Sequence, residues 1–379
     1  MSKKKILLVS NTPFSVSSYG VVSKNMIASL PEYEWYVLSR QWKDPRMIFK
    51  AGDVPYMLIP SAEDDPYCFN SFLRECDRIK PDYIISIGDV GIQVVYALRI
   101  EKYWQGKKLK WFAYTPIDTD WLNKELVSNL IKINEHGTIV SMSEFGKETM
   151  KKYGVESELV YHGVDTSVFK PLPLTVRTKL RKQMGLTGKY VVFTNSNNQQ
   201  RKELPNLIQG FADAKISNKF LVMHTDRLPT SSHGGIELID YCNLLGLNKI
   251  ASFTQKKQYA GWRTEWNSER LNEIYNIADV FIFNGCEGFG LPVLEAQAAG
   301  TPVLAGDVTT MPEIVPEDNL IARGSWDYAT RTRYGVVDAN DMAHKLKIMS
   351  KIPRSKVKLI NVEKWTWVEV CKKWKKLLK

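Results

Sequence analysis

Two carboxylates separated by seven residues, Glu287 and Glu295, flank a turn built from residues that suit ligand binding. The stretch Asn284-Gly285-Cys286-Glu287-Gly288-Phe289-Gly290-Leu291-Pro292-Val293-Leu294-Glu295-Ala296 follows a short apolar run, Val280-Phe281-Ile282-Phe283, that reads as a buried strand. Pro292 stands where proline suits a first helical turn, and Gly300 stops the helix that begins there. A strand, a glycine-bearing turn and a helix start leave backbone N–H groups free at a strand end. Those groups and the helix dipole favour a phosphate or a sugar hydroxyl. A carboxylate repels a phosphate, so the two acids fit the hydroxyls of a sugar better. The plain alternative is an ordinary turn with solvent-facing acids.

Other constellations carry less. Asp118-Thr119-Asp120 spells a DxD pattern, but three residues recur often by chance, and a turn and helix-capping cluster explains it. The histidines His136, His162, His224, His233 and His344 show no paired metal-ligand spacing, so no metal site is expected. His224 ends a strand and suits a core or site-edge place better than catalysis. Trp262 and Trp266 fit a pocket lining or loop packing equally well. Ser143, ahead of Glu144, reads as an N-cap.

These residues need a scaffold, and the chain alternates strands with helices throughout. Ile6–Ser10 is a first strand, a polar loop runs from Asn11 to Tyr19, and Gly20 opens a helix. No GxGxxG occurs there, so the dinucleotide fingerprint is absent. Strands follow at 35–38, 56–59, 83–87, 111–114 and 137–142, with helices at 69–79, 94–100, 121–134 and 144–153. The turn His162-Gly163-Val164-Asp165 and the prolines Pro171 and Pro173 break the pattern. A second alternation has strands at 190–194, 220–223, 250–253, 280–283 and 302–305. Its helices lie at 202–215, 236–245 and 269–278, and segment 254–268 reads as a functional loop. Such alternation predicts parallel sheets covered by helices in two domains, 1–165 and 166–360. A basic amphipathic helix at 361–379 follows.

The totals agree with a soluble globular protein of about two domains. Of 379 residues, 44% are hydrophobic and 25% charged. Five scattered cysteines without a CxxC pair predict a reducing compartment and no disulfide framework. No signal peptide or membrane-spanning run is apparent, so a cytoplasmic location is expected. The net charge is +11, but residues 351–379 hold ten Lys/Arg against two Glu. The excess is a feature of the tail, which argues against a nucleic-acid-binding body. Trp367, Cys371, Trp374 and Leu378 form an apolar stripe in that tail, with Lys372, Lys373, Lys375 and Lys376 beside it. Docking of the stripe on the body is the first expectation, and contact of 363–379 with an anionic membrane the second.

The run from Ile274 to Val315 resembles the retaining glycosyltransferases of family 4. The similarity includes Ile274-Tyr275-Asn276-Ile277-Ala278-Asp279-Val280-Phe281, the E-x7-E turn, Ala299-Gly300-Thr301-Pro302-Val303 and Met311-Pro312-Glu313-Ile314-Val315. His162-Gly163-Val164-Asp165 resembles the turn at that family's interdomain link. The resemblance implies the GT-B architecture, two Rossmann-like domains facing across a cleft, with a C-terminal helix crossing back to the first. It implies metal-independent transfer of a sugar from a nucleotide-diphosphate donor to a glycan, lipid or other hydroxyl acceptor, with no further cofactor.

Carried over residue by residue, the resemblance assigns Glu287 to the donor sugar and Glu295 to the ribose hydroxyls. The backbone of Phe289, Gly290 and Leu291 would meet the sugar and diphosphate. Arg201 and Lys202 match the family's Arg-Lys pair and would neutralise the leaving diphosphate. As solvated residues alone they would oppose a helix dipole. The family's earlier basic position is Ser196 here. Gly20 matches the last glycine of the phosphate-approaching loop in the first, acceptor-side domain. Where many members carry a histidine, this chain has Thr115-Pro116-Ile117-Asp118, and Asp118 is the substitute. The rival readings are a non-catalytic binding protein of the same fold, a sugar phosphorylase or a nucleotide-sugar epimerase.

Overall fold

The computed structural model describes residues 2–103, 110–228, 235–254, 267–329 and 332–379. Two compact units divide the chain: Met1–Gly163 with Lys364–Lys379, and Val164–Glu363. Trp262, Trp266, His233 and most of segment 254–268 lie outside the described residues.

In the first unit, eight strands form one sheet: β1 (Lys5–Ser10), β2 (Glu34–Ser39), β3 (Met47–Ala51), β4 (Val54–Pro60), β5 (Tyr83–Ile87), β6 (Trp111–Thr115), β7 (Thr138–Ser141) and β8 (Glu158–Leu159). Their order is β3-β4-β2-β1-β5-β6-β7-β8, and only β3 runs antiparallel to its neighbour. Central strands are apolar on both faces because helices cover both; Ile6, Leu7, Leu8 and Val9 are all fully buried. Edge strand β3 turns into β4 through Gly52 at φ +57°, a left-handed position that glycine takes without strain. The helix Ser18–Ser29 begins before Gly20, because Ser17 caps it by accepting the Gly20 N–H at 3.2 Å. Ser143 likewise caps Glu144–Lys152. The helix after β6, Lys124–His136, is capped by Asn123, so the capping role read into Asp118-Thr119-Asp120 is corrected; Thr119 braces the turn at Trp121 instead.

The terminal helix Trp367–Leu377 packs on this unit. Trp374 is fully buried, edge-on to the rings of Phe112 and Tyr114, and Cys371 and Leu378 are buried with it. Trp367 stacks on His162, and a Cβ on Gly163 would lie 2.7 Å from the Trp367 backbone. The apolar stripe is thereby committed to protein. Lysine charge is what this helix presents outward, and part of it is matched: Lys375 pairs with Glu32 at 3.0 Å and Lys372 with Glu369 at 2.7 Å. Among the described residues no helix is long and apolar enough to cross a membrane. All five cysteines are buried and none forms a disulfide among the described residues.

In the second unit six parallel strands, β9 (Tyr190–Asn195), β10 (Lys219–His224), β11 (Ala251–Phe253), β12 (Val280–Phe283), β13 (Val303–Gly306) and β14 (Leu320–Ile321), take the order β11-β10-β9-β12-β13-β14. This is the doubly wound nucleotide-binding order, and its direction reverses between β9 and β12. A separate antiparallel hairpin, β15 (Arg323–Ala329) with β16 (Thr332–Val337), was not expected from the sequence. Neither was the helix Leu174–Gln183, which buries no residue. Polar contacts hold it: Arg177 and Arg181 reach Asp279 at 2.6 and 3.0 Å and take backbone carbonyls at 276 and 277.

Candidate functional site

In an open parallel sheet, ligands bind beyond the carboxyl ends of the strands on either side of the order reversal. In the second unit those are the ends of β9 and β12. The segments leaving them carry Arg201-Lys202 and Glu287. After β9 the chain makes one 3₁₀ turn, Gln200–Lys202, and Glu203 enters the left-handed region at φ 52° before the helix Leu204–Asp213 starts. The helix expected from Lys202 is thus broken. Both cations sit in the turn immediately ahead of that helix.

Arg201 Nη1 lies 3.2 Å from Glu287 Oε2 and donates to the Cys286 carbonyl at 2.6 Å. Lys202 Nζ forms an ion pair with Glu287 Oε1, and its side chain is only 7% exposed. Gly285 allows this approach, since a Cβ there would meet Lys202 Cδ at 2.8 Å. The backbone of Glu287 is fixed from both sides: its N–H donates to Thr309 Oγ1 at 3.1 Å, and its carbonyl accepts from Thr310 Oγ1 at 3.0 Å. A carboxylate and two cations therefore form one compact cluster. Among the described residues Glu287 pairs with both cations, an arrangement that an incoming anion can take over.

Gly290 precedes the helix Leu291–Ala298 at φ +108°, and a Cβ there would meet Met311 Cε at 2.7 Å. No side chain caps this helix start. Phe289 and Leu291 are buried beside it. Glu295, in the same helix, is buried and accepts a hydrogen bond from the Tyr275 hydroxyl at 2.9 Å, and Asn195 donates to that hydroxyl at 3.3 Å. Burial pushes the Glu295 carboxyl up to about 7, against the lowering effect of the Tyr275 bond. Ser196, at the end of β9, donates its N–H to the His224 carbonyl at 3.3 Å. His224 itself is hydrogen-bonded to Thr254 at 2.6 Å and held down to about 4 by burial.

Two features of this site escaped the sequence reading. Asn284, at the end of β12, is buried with both amide atoms lacking a partner, a signal only coordinates give. Glu203 is pushed up to about 7 by burial and by Asp327. Gly20 and Asp118 belong to the first unit. A Cβ on Gly20 would come within 2.6 Å of the Thr12 and Ser15 carbonyls, so the fold of its own loop already demands glycine. Asp118 is half-buried in the turn after β6. In that unit Tyr19 donates to Asp89 at 2.7 Å, and the buried guanidinium of Arg40 lies against Gly88.

Residues 248–348 match the family model described as glycosyl transferases group 1. That segment contains Glu287, Glu295 and the helix start between them. The O-antigen chain mannosyltransferase B of Escherichia coli is 44% identical over 55 residues, 14% of each chain. The D-inositol 3-phosphate glycosyltransferase of Nocardia farcinica is 25% identical over 223 residues, 56% of this chain and 46% of that one. The matches thus span less than half the length of these curated relatives. Among solved structures, sucrose-phosphate synthase of Thermosynechococcus elongatus aligns with a TM-score of 0.72 at 15% identity, covering 99% of this chain and 98% of the other. Anabaena HepE in complex with UDP-glucose aligns with a TM-score of 0.73 at 15% identity, covering 99% of both. The fold is GT-B, with two Rossmann-like parallel sheets.

Proposed function

We propose that this protein transfers a sugar from a nucleotide-diphosphate donor to a hydroxyl acceptor with retention of the anomeric configuration. The observation that carries the reading is the cluster of Arg201, Lys202 and Glu287 at the strand-order reversal, in the unit whose sequence matches the glycosyl transferases group 1 model. Cleavage of the donor's glycosidic bond leaves negative charge on the diphosphate. Preorganised cations aimed at that charge are an effective way to lower the barrier. Arg201 and Lys202 supply them without calling on a divalent ion.

When the diphosphate takes the two cations, Glu287 is released to accept hydrogen bonds from the donor sugar. The uncapped helix start at Gly290 and Leu291 meets the diphosphate with its N–H groups and dipole. Glu295 receives the ribose hydroxyls, with Tyr275 fixing its orientation. Gly20 and Asp118 belong to the acceptor side, and a glycan or lipid hydroxyl is the acceptor.

Incubation with a panel of labelled nucleotide sugars and hydroxyl acceptors tests this, with the anomeric configuration of the product read by NMR. Transferred sugar with the donor's configuration is expected. Epimerised donor without transfer, or inverted product, would overturn the reading.

A further inference from the structure

The second unit has another concavity, at the amino ends of its strands and so at the opposite edge of the sheet from Arg201 and Glu287. It is a cavity of about 420 Å³, lined among others by Lys189, Tyr190, Asn218, Asp279 and Arg354. Positive charge gathers there. Arg177 and Arg181 both bind Asp279, whose Oδ2 also accepts the Val191 N–H at 2.7 Å, so the one lining carboxylate is fully engaged. Arg354 and Lys189 have no carboxylate of their own. Arg354 donates through Nη2 to Thr301 Oγ1 at 2.7 Å and the Ala299 carbonyl at 3.3 Å, while its Nε is buried without an acceptor. The Tyr190 hydroxyl is also buried without a partner. The crowding shows in Arg354 itself, held down to about 10 by burial and then by Arg177.

Helix-end carbonyls explain why arginines are here. They account for Arg177, Arg181 and the Nη2 of Arg354, but leave the rest of that guanidinium, Lys189 and the tyrosine hydroxyl unused. A buried donor without an acceptor is costly, and an excess of cations around an open cavity is the environment that an oxyanion relieves. We propose that this cavity binds a phosphate group, free or carried by a small metabolite, between Lys189 and Arg354. The site is independent of the donor reading, because none of its residues belongs to the Arg201–Glu287 cluster.

Calorimetric titration and thermal denaturation of the full chain test it, with inorganic phosphate and glucose 6-phosphate as probes and chloride at matched ionic strength as control. Both phosphates should raise the melting temperature beyond chloride. Lys189→Gln should weaken binding about tenfold, the loss of one charge-assisted contact. The Lys189 side chain makes no hydrogen bond or ion pair among the described residues, so this variant should fold normally. Arg354→Gln should weaken binding at least as much. Nucleoside diphosphate affinity should be unchanged in both. Tighter glucose 6-phosphate binding would identify a phosphorylated metabolite, and equal affinities free phosphate; either supports the site. No stabilisation beyond chloride, or wild-type affinity in Lys189→Gln, overturns it.

Discussion

Replacing Glu287 by Gln separates two events that the site couples. The acid is 3.2 Å from Arg201 Nη1 and ion-paired with Lys202, and its own side chain is 21% exposed. One unit-charge pair at about 4 Å is worth about 4 kcal/mol at the effective dielectric of a protein surface. Desolvation and partial exposure reduce the net value to about 1–2 kcal/mol. A nucleoside diphosphate that takes the two cations must first displace this acid. Glu287→Gln should therefore bind nucleoside diphosphate about tenfold tighter, since about 1.4 kcal/mol is one decade in affinity. The same variant should lose about 2–3 kcal/mol of ligand-free stability, because Lys202 keeps its charge in a buried place without its partner. Sugar transfer should fall by about a hundredfold or more, as a group that touches the reacting sugar is gone. Calorimetric titration gives the affinity, urea denaturation the stability, and a product assay the rate. If nucleotide affinity fell in step with transfer, the acid would be part of the phosphate site and the exchange would be wrong.

Three further changes probe the rest of the structure. Tyr275→Phe removes the 2.9 Å hydrogen bond that lowers the Glu295 carboxyl, so it should cost about 1–3 kcal/mol in urea denaturation and move the pH midpoint of donor binding above 7. Gly163→Ala puts a methyl group 2.7 Å from the Trp367 backbone. It should cost about 1–3 kcal/mol and loosen the terminal helix, seen as a red shift of tryptophan fluorescence and faster tryptic cleavage at the tail lysines. Stability should also depend on pH. His162 and His224 are held by burial at about 3 and about 4, below their ordinary 6.5, so the unfolded chain takes protons that the folded one refuses. Each then removes up to about 1.4 kcal/mol per pH unit as pH falls below 6.5. Glu295 and Glu203, both raised from 4.5 to about 7, act the other way between those values. Two histidines against two carboxyls nearly cancel between 6.5 and 4.5, so the loss on acidification comes below 4.5, where the carboxyls add nothing more and the histidines still act. A urea midpoint as high at pH 3.5 as at pH 5 would contradict it.

The central strands of both sheets were legible because parallel strands covered on both faces must be apolar runs, and Ile6–Val9 and Val280–Phe283 are such runs. The helix Leu174–Gln183 was not legible, for a reason of the same kind. Its hold on the unit is Arg177 and Arg181 on Asp279, and a search for apolar periodicity cannot see a helix fastened by guanidiniums. The edge strand β3 has exposed Met47 and Ile48, so its alternation points to no core. In the site, residue types gave the acids and the cations, but not their pairing. A sequence read for ligand contacts assigns Glu287 to a sugar and Arg201-Lys202 to a diphosphate, and has no reason to join them. The orphaned amide of Asn284 and the raised carboxyls of Glu203 and Glu295 depend on burial by distant segments, which no local pattern records.

That pairing bears on how a site of this kind is kept. Two adjacent cations repel each other, and the Lys202 side chain is only 7% exposed. The doubly wound order places β9 beside β12, so the turn leaving one strand delivers the cations to the turn leaving the other. An acid at Glu287 then stabilises the empty site, on the proposed function with the group that the donor sugar would need. Because the acid is fixed through its backbone by Thr309 and Thr310, its release requires only side-chain rotation. The cost of carrying the acid is weaker nucleotide binding. On the proposed function, a nucleotide without a sugar would leave the freed carboxylate without that contact and would be held less well than one bearing a sugar. On that reading the site would favour exchange of spent nucleotide for fresh donor, the order of events that repeated transfer needs.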